Sequence, residues 1–129
     1  VSNYDGGLSS MFNFSKEILE KGFKGTKYRM TKKLNLKTTK LDTILKKNNI
    51  SASDYNHWII DLQGGELLAL KGAENSLKSC KSIYVEISKI KYYEGGALFD
   101  EVSKWLKERN FYPAFQPAED HTDVLFKRK

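Results

Sequence analysis

Acids and glycines crowd into one short run of the chain, IDLQGGELLALKGAENSL at residues 60–77. Asp61 closes an apolar stretch that has no local need for a charge, whereas Glu66 opens an amphipathic one. Between them Gln63, Gly64 and Gly65 spell a turn, where glycine permits a positive φ or a close approach by a ligand or by backbone. Further on, Glu86 alone interrupts the apolar run of KSIYVEIS. Acids placed this way can hold a hydroxyl, accept its proton or bind a hard cation. Ligands of open α/β sheets sit outside the carboxyl ends of the strands, so Asp61 and Glu86 are expected at one edge. Glu66 has a second reading, since a carboxylate in the first turn of a helix also suits the helix dipole.

Strands and helices must alternate to put these groups together. HWIID is a short apolar run with no polar alternation, which predicts a strand covered on both faces. Leu67, Leu70, Ala73 and Leu77 then recur at helical spacing as one stripe. KSIYVEIS reads as a second buried strand, and Leu98, Val102, Trp105 and Leu106 mark a helix that should stop near Asn110. FYPAFQPAEDHTDVLFKRK closes the chain as two strand-like runs around Pro117, which predicts an antiparallel hairpin. Upstream, Leu34, Leu36 and Thr38 of LNLKTTKL alternate like a strand, and Thr39 with Asp42 is spaced to cap a helix through LDTILKKN. The expected fold class is α/β, a mostly parallel sheet with the terminal hairpin as its antiparallel edge.

The chain has 129 residues, 40% of them hydrophobic, and is expected to form one domain with one core. Nothing approaches the roughly 20 apolar residues of a membrane span, and VSNYDGG lacks the layout of a signal peptide. A single cysteine, Cys80, excludes an internal disulfide and fits a reducing, cytoplasmic setting. The net charge of +6 is uneven: residues 1–47 hold 11 Lys/Arg against 4 Asp/Glu, and the remainder 11 against 12. Residues 1–33 are an irregular basic lead-in with at most one short helix. There, lysines interleave with Phe23 and Tyr28 in a pattern that attracts phosphate, but no nucleic-acid module accompanies it, so a solvated surface is the expectation.

LDTILKKNNI, IIDLQGGELLALKGAENSL, IYVEIS, YEGGALFDEVSKWLKERNF and DVLFKR together resemble the C-terminal half of the FkbM-type methyltransferases. The hallmark of that family is an acid, then Gln or Glu, Gly and Glu, then a Leu and a Gly. Here it is Asp61, Gln63, Gly64, Glu66, Leu70 and Gly72, with Gly65 in place of the usual alanine. Ser9 and Ser10 look like a serine pair found upstream in the family. The resemblance implies a Rossmann-like class I methyltransferase fold, S-adenosylmethionine as methyl donor, and a hydroxyl acceptor on a sugar, polyketide or similar small molecule. It also implies a catalytic role for Asp61, with Glu66 and Glu86 positioning the acceptor or a cation such as Mg²⁺. On the acceptor side it leaves Gln63, Gly64, Tyr92, Tyr93 and His121 as candidate contacts. His121 lies in the AEDHTD turn as a base or an ordinary loop histidine; Tyr92 and Tyr93 either wall the pocket or pack the entry to the next helix.

One part of the family pattern is missing. The glycine loop and ribose-binding acid that hold the donor do not occur, and DGGLSS, GFKG and EGGAL have other spacings. About two or three βα units, on the order of 60–90 residues, would carry them. The expectation is therefore an acceptor-side fragment that binds S-adenosylmethionine weakly alone. The HWIID strand, stripped of its neighbour, should pair with a second copy, with a missing N-terminal half, or with residues 1–40 folded back. A non-catalytic binding or assembly module is the alternative.

Overall fold

The computed structural model describes residues 1–22 and 25–129. In chain order the elements are α1 (Lys16–Lys21), α2 (Leu41–Lys47), β1 (His57–Ile60), α3 (Glu66–Lys71), β2 (Ser82–Ser88), α4 (Phe99–Lys107), β3 (Phe111–Pro113) and β4 (His121–Arg128), with 3₁₀ turns at Ala52–Asp54 and Ser76–Ser79. Four strands form one sheet in the order β1-β2-β4-β3. The β1-β2 pair is parallel, Ile59 opposite Tyr84, whereas β2-β4 and β3-β4 are antiparallel. The sheet is therefore mixed rather than mostly parallel. The closing hairpin forms as its spacing predicts, but β4 is long enough to pair on both sides and inserts next to β2.

Alternation within the strands explains which face is covered. Ile83, Val85 and Ile87 of β2, with Val124 and Phe126 of β4, are at most 4% exposed and pack against Leu70 of α3 and Val102 and Leu106 of α4. The opposite face carries Ile59, 83% exposed, and Tyr84, 43% exposed, so HWIID is covered on one face only. β1 is also the end strand of the sheet, which leaves its outer edge without a strand partner among the described residues.

The stripe from Leu67 to Leu77 is buried as expected, yet it is not one helix. α3 ends at Gly72, and the 3₁₀ turn carries Leu77 inward. No strand forms over LNLKTTKL, where residues 31–40 are exposed and unpaired in any sheet. α2 does form, but with Lys40 at its N-cap and no side-chain cap. Asp42 instead accepts hydrogen bonds from the main chain of Asn75 and Ser76 and from the Ser76 hydroxyl, tying α2 to the 3₁₀ turn. Among the described residues no helix is long and apolar enough to cross a membrane.

A second, smaller cluster forms from the irregular lead-in. Phe14 and Ile18 bury themselves against Tyr92 and Tyr93, with Leu8, Phe12, Tyr28, Met30 and Ile90 around them. Ser15 caps α1 through its side chain, and its main-chain N–H donates to Tyr92 O at 2.7 Å. Tyr28 packs edge-on to Tyr4 and tilted against Phe14, so this member of the basic-aromatic pattern is spent on packing. Phe23 lies outside the described residues.

Candidate functional site

The turn after β1 is bent by two consecutive left-handed residues, Gln63 at φ 50° and Gly64 at φ 96°. A Cβ on Gly64 would sit 3.0 Å from the Tyr93 ring and 3.4 Å from Gly96 Cα. This glycine thus serves a close approach by the protein itself. Glu66, the first residue of α3, is buried and turns its Oε1 back onto the loop, accepting from Leu62 N at 2.9 Å and Gly64 N at 3.1 Å. Burial, aided by the nearby Glu86 charge, raises its pKa above the usual carboxylate range, against the pull of those backbone donors. Glu66 thus braces the turn that precedes its helix, and α3 has no side-chain cap.

Asp61, Gln63 and Glu86 meet where the sequence reading expects them. Gln63 Nε2 donates to Asp61 Oδ1 at 2.7 Å and to Glu86 Oε2 at 2.9 Å, joining the end of β1 to β2. The other Glu86 oxygen lies 3.1 Å from His121 Nε2. His121 is the first residue of β4 rather than part of a turn, and its ring packs 4.9 Å from that of Tyr92. The hydrogen bond to Glu86 raises the pKa of His121, with the Asp123 and Asp61 charges adding and burial opposing. Tyr92 and Tyr93 are interior at 7% and 5% exposure; their rings pack with Phe14 and Ile18 of the lead-in and also line the small cavity beside Glu66, Glu86 and His121. His57 opens β1, at the end of the strand opposite Asp61, and its Nδ1 lies 2.7 Å from Ser82 Oγ.

Two contributors come from the lead-in. Ser10 Oγ donates to Gln63 O at 2.6 Å, and the Tyr93 hydroxyl lies 2.9 Å from Gln63 Oε1 and 3.2 Å from Leu8 O. Ser10 was legible only as half of a serine pair. The Leu8 carbonyl had no signal, because any residue offers one.

Carboxylate oxygens of Asp61, Glu66 and Glu86 lie within 4.8 Å of one another, a spacing that a shared cation could span. The donor set does not fit one as it stands. An amide nitrogen already bridges Asp61 and Glu86, and Glu66 Oε1 already serves two backbone N–H groups. No cradle for a nucleoside donor fits here either, since the Gln63-Gly64 turn is filled by Tyr93. A cavity of about 30 Å³ beside Glu66, Glu86 and His121 has room for one water. Of the three acids, Asp61 is the exposed one. A roomier groove of about 490 Å³ along α4, past Asp100, Lys104 and Lys107, contains none of these residues.

Comparison with curated proteins and with solved structures gives no match. The family profile described as the methyltransferase FkbM domain matches residues 2–113, a span that contains the turn, all three acids and α4. With most of its length in that match, the chain belongs to the FkbM methyltransferase domain family.

Proposed function

We propose that this chain is the acceptor-side part of an S-adenosylmethionine-dependent methyltransferase acting on the hydroxyl of a small molecule such as a sugar or polyketide, with Asp61 as the base. The observation that carries this reading is the Asp61 carboxylate, exposed at the carboxyl end of β1 and held by the Gln63 amide. Methylation of oxygen requires the hydroxyl to lose its proton as the new bond forms, and a carboxylate within hydrogen-bond reach can accept it. Gln63 holds Asp61 through Oδ1, and the exposed side chain can present its second oxygen to an acceptor. Glu86, His121 and Glu66 stand behind Asp61: Glu86 shares its amide donor, His121 pairs with Glu86, and Glu66 keeps the turn in shape. When bound, the donor supplies an electrophilic methyl group; its contacts lie on a glycine loop that this sequence does not contain.

In an enzyme that unites this chain with its donor-binding units, Asp61→Asn should lower methyl transfer to hydroxyl acceptors by about 100- to 10,000-fold. Its thermal midpoint should stay near wild type. Undiminished turnover in a folded variant would demote Asp61 to a structural acid. A second reading, a binding or assembly module, is favoured by the outer edge of β1, unpaired among the described residues, and by its exposed Ile59. That reading predicts no transfer from labelled donor under any pairing. The open edge and exposed Ile59 of β1 support association with a second copy or with a donor-binding chain.

A further inference from the structure

We infer that Tyr93 is a positioning residue: its hydroxyl fixes the side-chain amide of Gln63 so that the amide nitrogen holds Asp61 and Glu86 together. The chemistry of the partners sets the direction. Gln63 Oε1 and Leu8 O, the two groups within reach of the hydroxyl, are both acceptors, so the hydroxyl must donate. With Oε1 so engaged, Nε2 points at the two carboxylates, and each of its protons has a carboxylate oxygen to meet. Turned over, the amide would set Oε1 against two anions.

The ring that carries this hydroxyl is held rigidly. Tyr93 stacks on Phe14 with centroids 5.4 Å apart, and the two residues form an isolated β-bridge. Gly64 is where a side chain would displace the ring. Burial, with the charges of Glu86, Glu66 and Asp61, pushes the Tyr93 pKa well above its ordinary range, so the hydroxyl keeps its proton and remains a donor. Ser10 completes the clamp from the main-chain side. Gln63 occupies a left-handed conformation that is unfavourable for a non-glycine residue, and the Ser10 hydrogen bond to its carbonyl helps offset that. The lead-in and the 90–93 loop therefore set the geometry of acids that lie on β1 and β2.

The importance of this wiring for methyl transfer rests on the role proposed for Asp61, but the wiring can be read without donor or acceptor. The chain has two histidines, so NMR can follow His121 separately, and the Gln63 side-chain amide is observable in the same sample. The groups facing His121 are Glu86, Asp123 and Asp61, with the Tyr92 ring against it. Tyr93→Phe keeps the stacked ring and removes only the donor. It should collapse the two Gln63 amide proton signals toward solvent-exposed values. Having lost a donor to Glu86, it should also raise the His121 titration midpoint by about half a pH unit. Gln63→Ala should raise the midpoint equally, and the double variant should raise it no further. Unmoved amide signals and midpoint in Tyr93→Phe, or shifts that add in the double variant, would overturn the inference. If Tyr93→Phe does not fold, 3-fluorotyrosine at position 93 keeps the hydroxyl and strengthens it as a donor. The Gln63 amide signals must then move, and unmoved signals would be equally fatal.

Discussion

The sheet core and the cluster beside the site differ in what holds them. Leu70, Ile83, Val85, Leu106, Phe111, Val124 and Phe126 are fully enclosed, and their contribution is the removal of apolar surface from water, which has no direction. The smaller cluster of Phe14, Ile18, Tyr92 and Tyr93 is also buried, but Tyr93 has a polar handle aimed at Gln63. Here a change of angle matters as much as a change of volume. The region that supplies most of the stability thus carries no chemistry, and the region that orders the acids does so through a few directed hydrogen bonds.

Replacing Phe126 by Ala should be the heaviest blow to this division, costing about 3–5 kcal/mol, because the cavity would open between β4, α3 and α4 where nothing polar can fill it. Both regions should then unfold together in denaturant titrations, followed by near-ultraviolet dichroism. Loss of the sheet with the Phe14–Tyr93 stack retained would show that the small cluster stands alone.

Gly64→Ala should cost less, roughly 1–3 kcal/mol, from a strained φ and a Cβ pressed 3.0 Å from the Tyr93 ring. Its damage should stay local: amide exchange should quicken at Gln63, Tyr93 and Ser10 while β2 and β4 remain protected. Equal loss of protection in the sheet would erase the distinction drawn here.

His121→Gln should have the smallest effect and should depend on pH. Because Glu86 raises the folded-state pKa of His121, the stabilisation it provides is fully present below about 6.5 and is lost as pH rises through the higher folded value. The partly exposed pair, its side chains 32% and 19% accessible, should be worth at most about 1 kcal/mol after solvent screening. Thermal midpoints of variant and wild type should differ most in acid and converge in mild alkali; a difference independent of pH would assign His121 to packing alone.

Local pattern carried much of this far. The β1-turn-α3 handover, α4, which stops at Lys107 with a turn through Asn110, the closing hairpin and the meeting of Asp61, Gln63 and Glu86 were legible, because each depends on residue spacing within one or two elements. The strand read into LNLKTTKL failed for the opposite reason: alternation licenses a strand, but only a neighbouring edge makes one. HWIID failed in part likewise, since its apolar residues satisfy a two-sided burial that the fold meets on one face only.

What the sequence by itself determined is the identity and order of the groups: two acids, a glutamine and glycines at a strand end, another acid one strand on, in a family pattern that spans residues 2–113. Tertiary structure alone decided how they are wired. It swung Glu66 back onto its own turn and brought His121 from the hairpin to Glu86. It also delivered Ser10 and the Leu8 carbonyl to within reach of Gln63 and Tyr93. Apart from the local Glu66 bond, those contacts join residues far apart in the chain, two of them through ordinary hydroxyls and carbonyls. Hydrogen bonds of that kind are specified by position and angle, and neither is written in residue type or spacing.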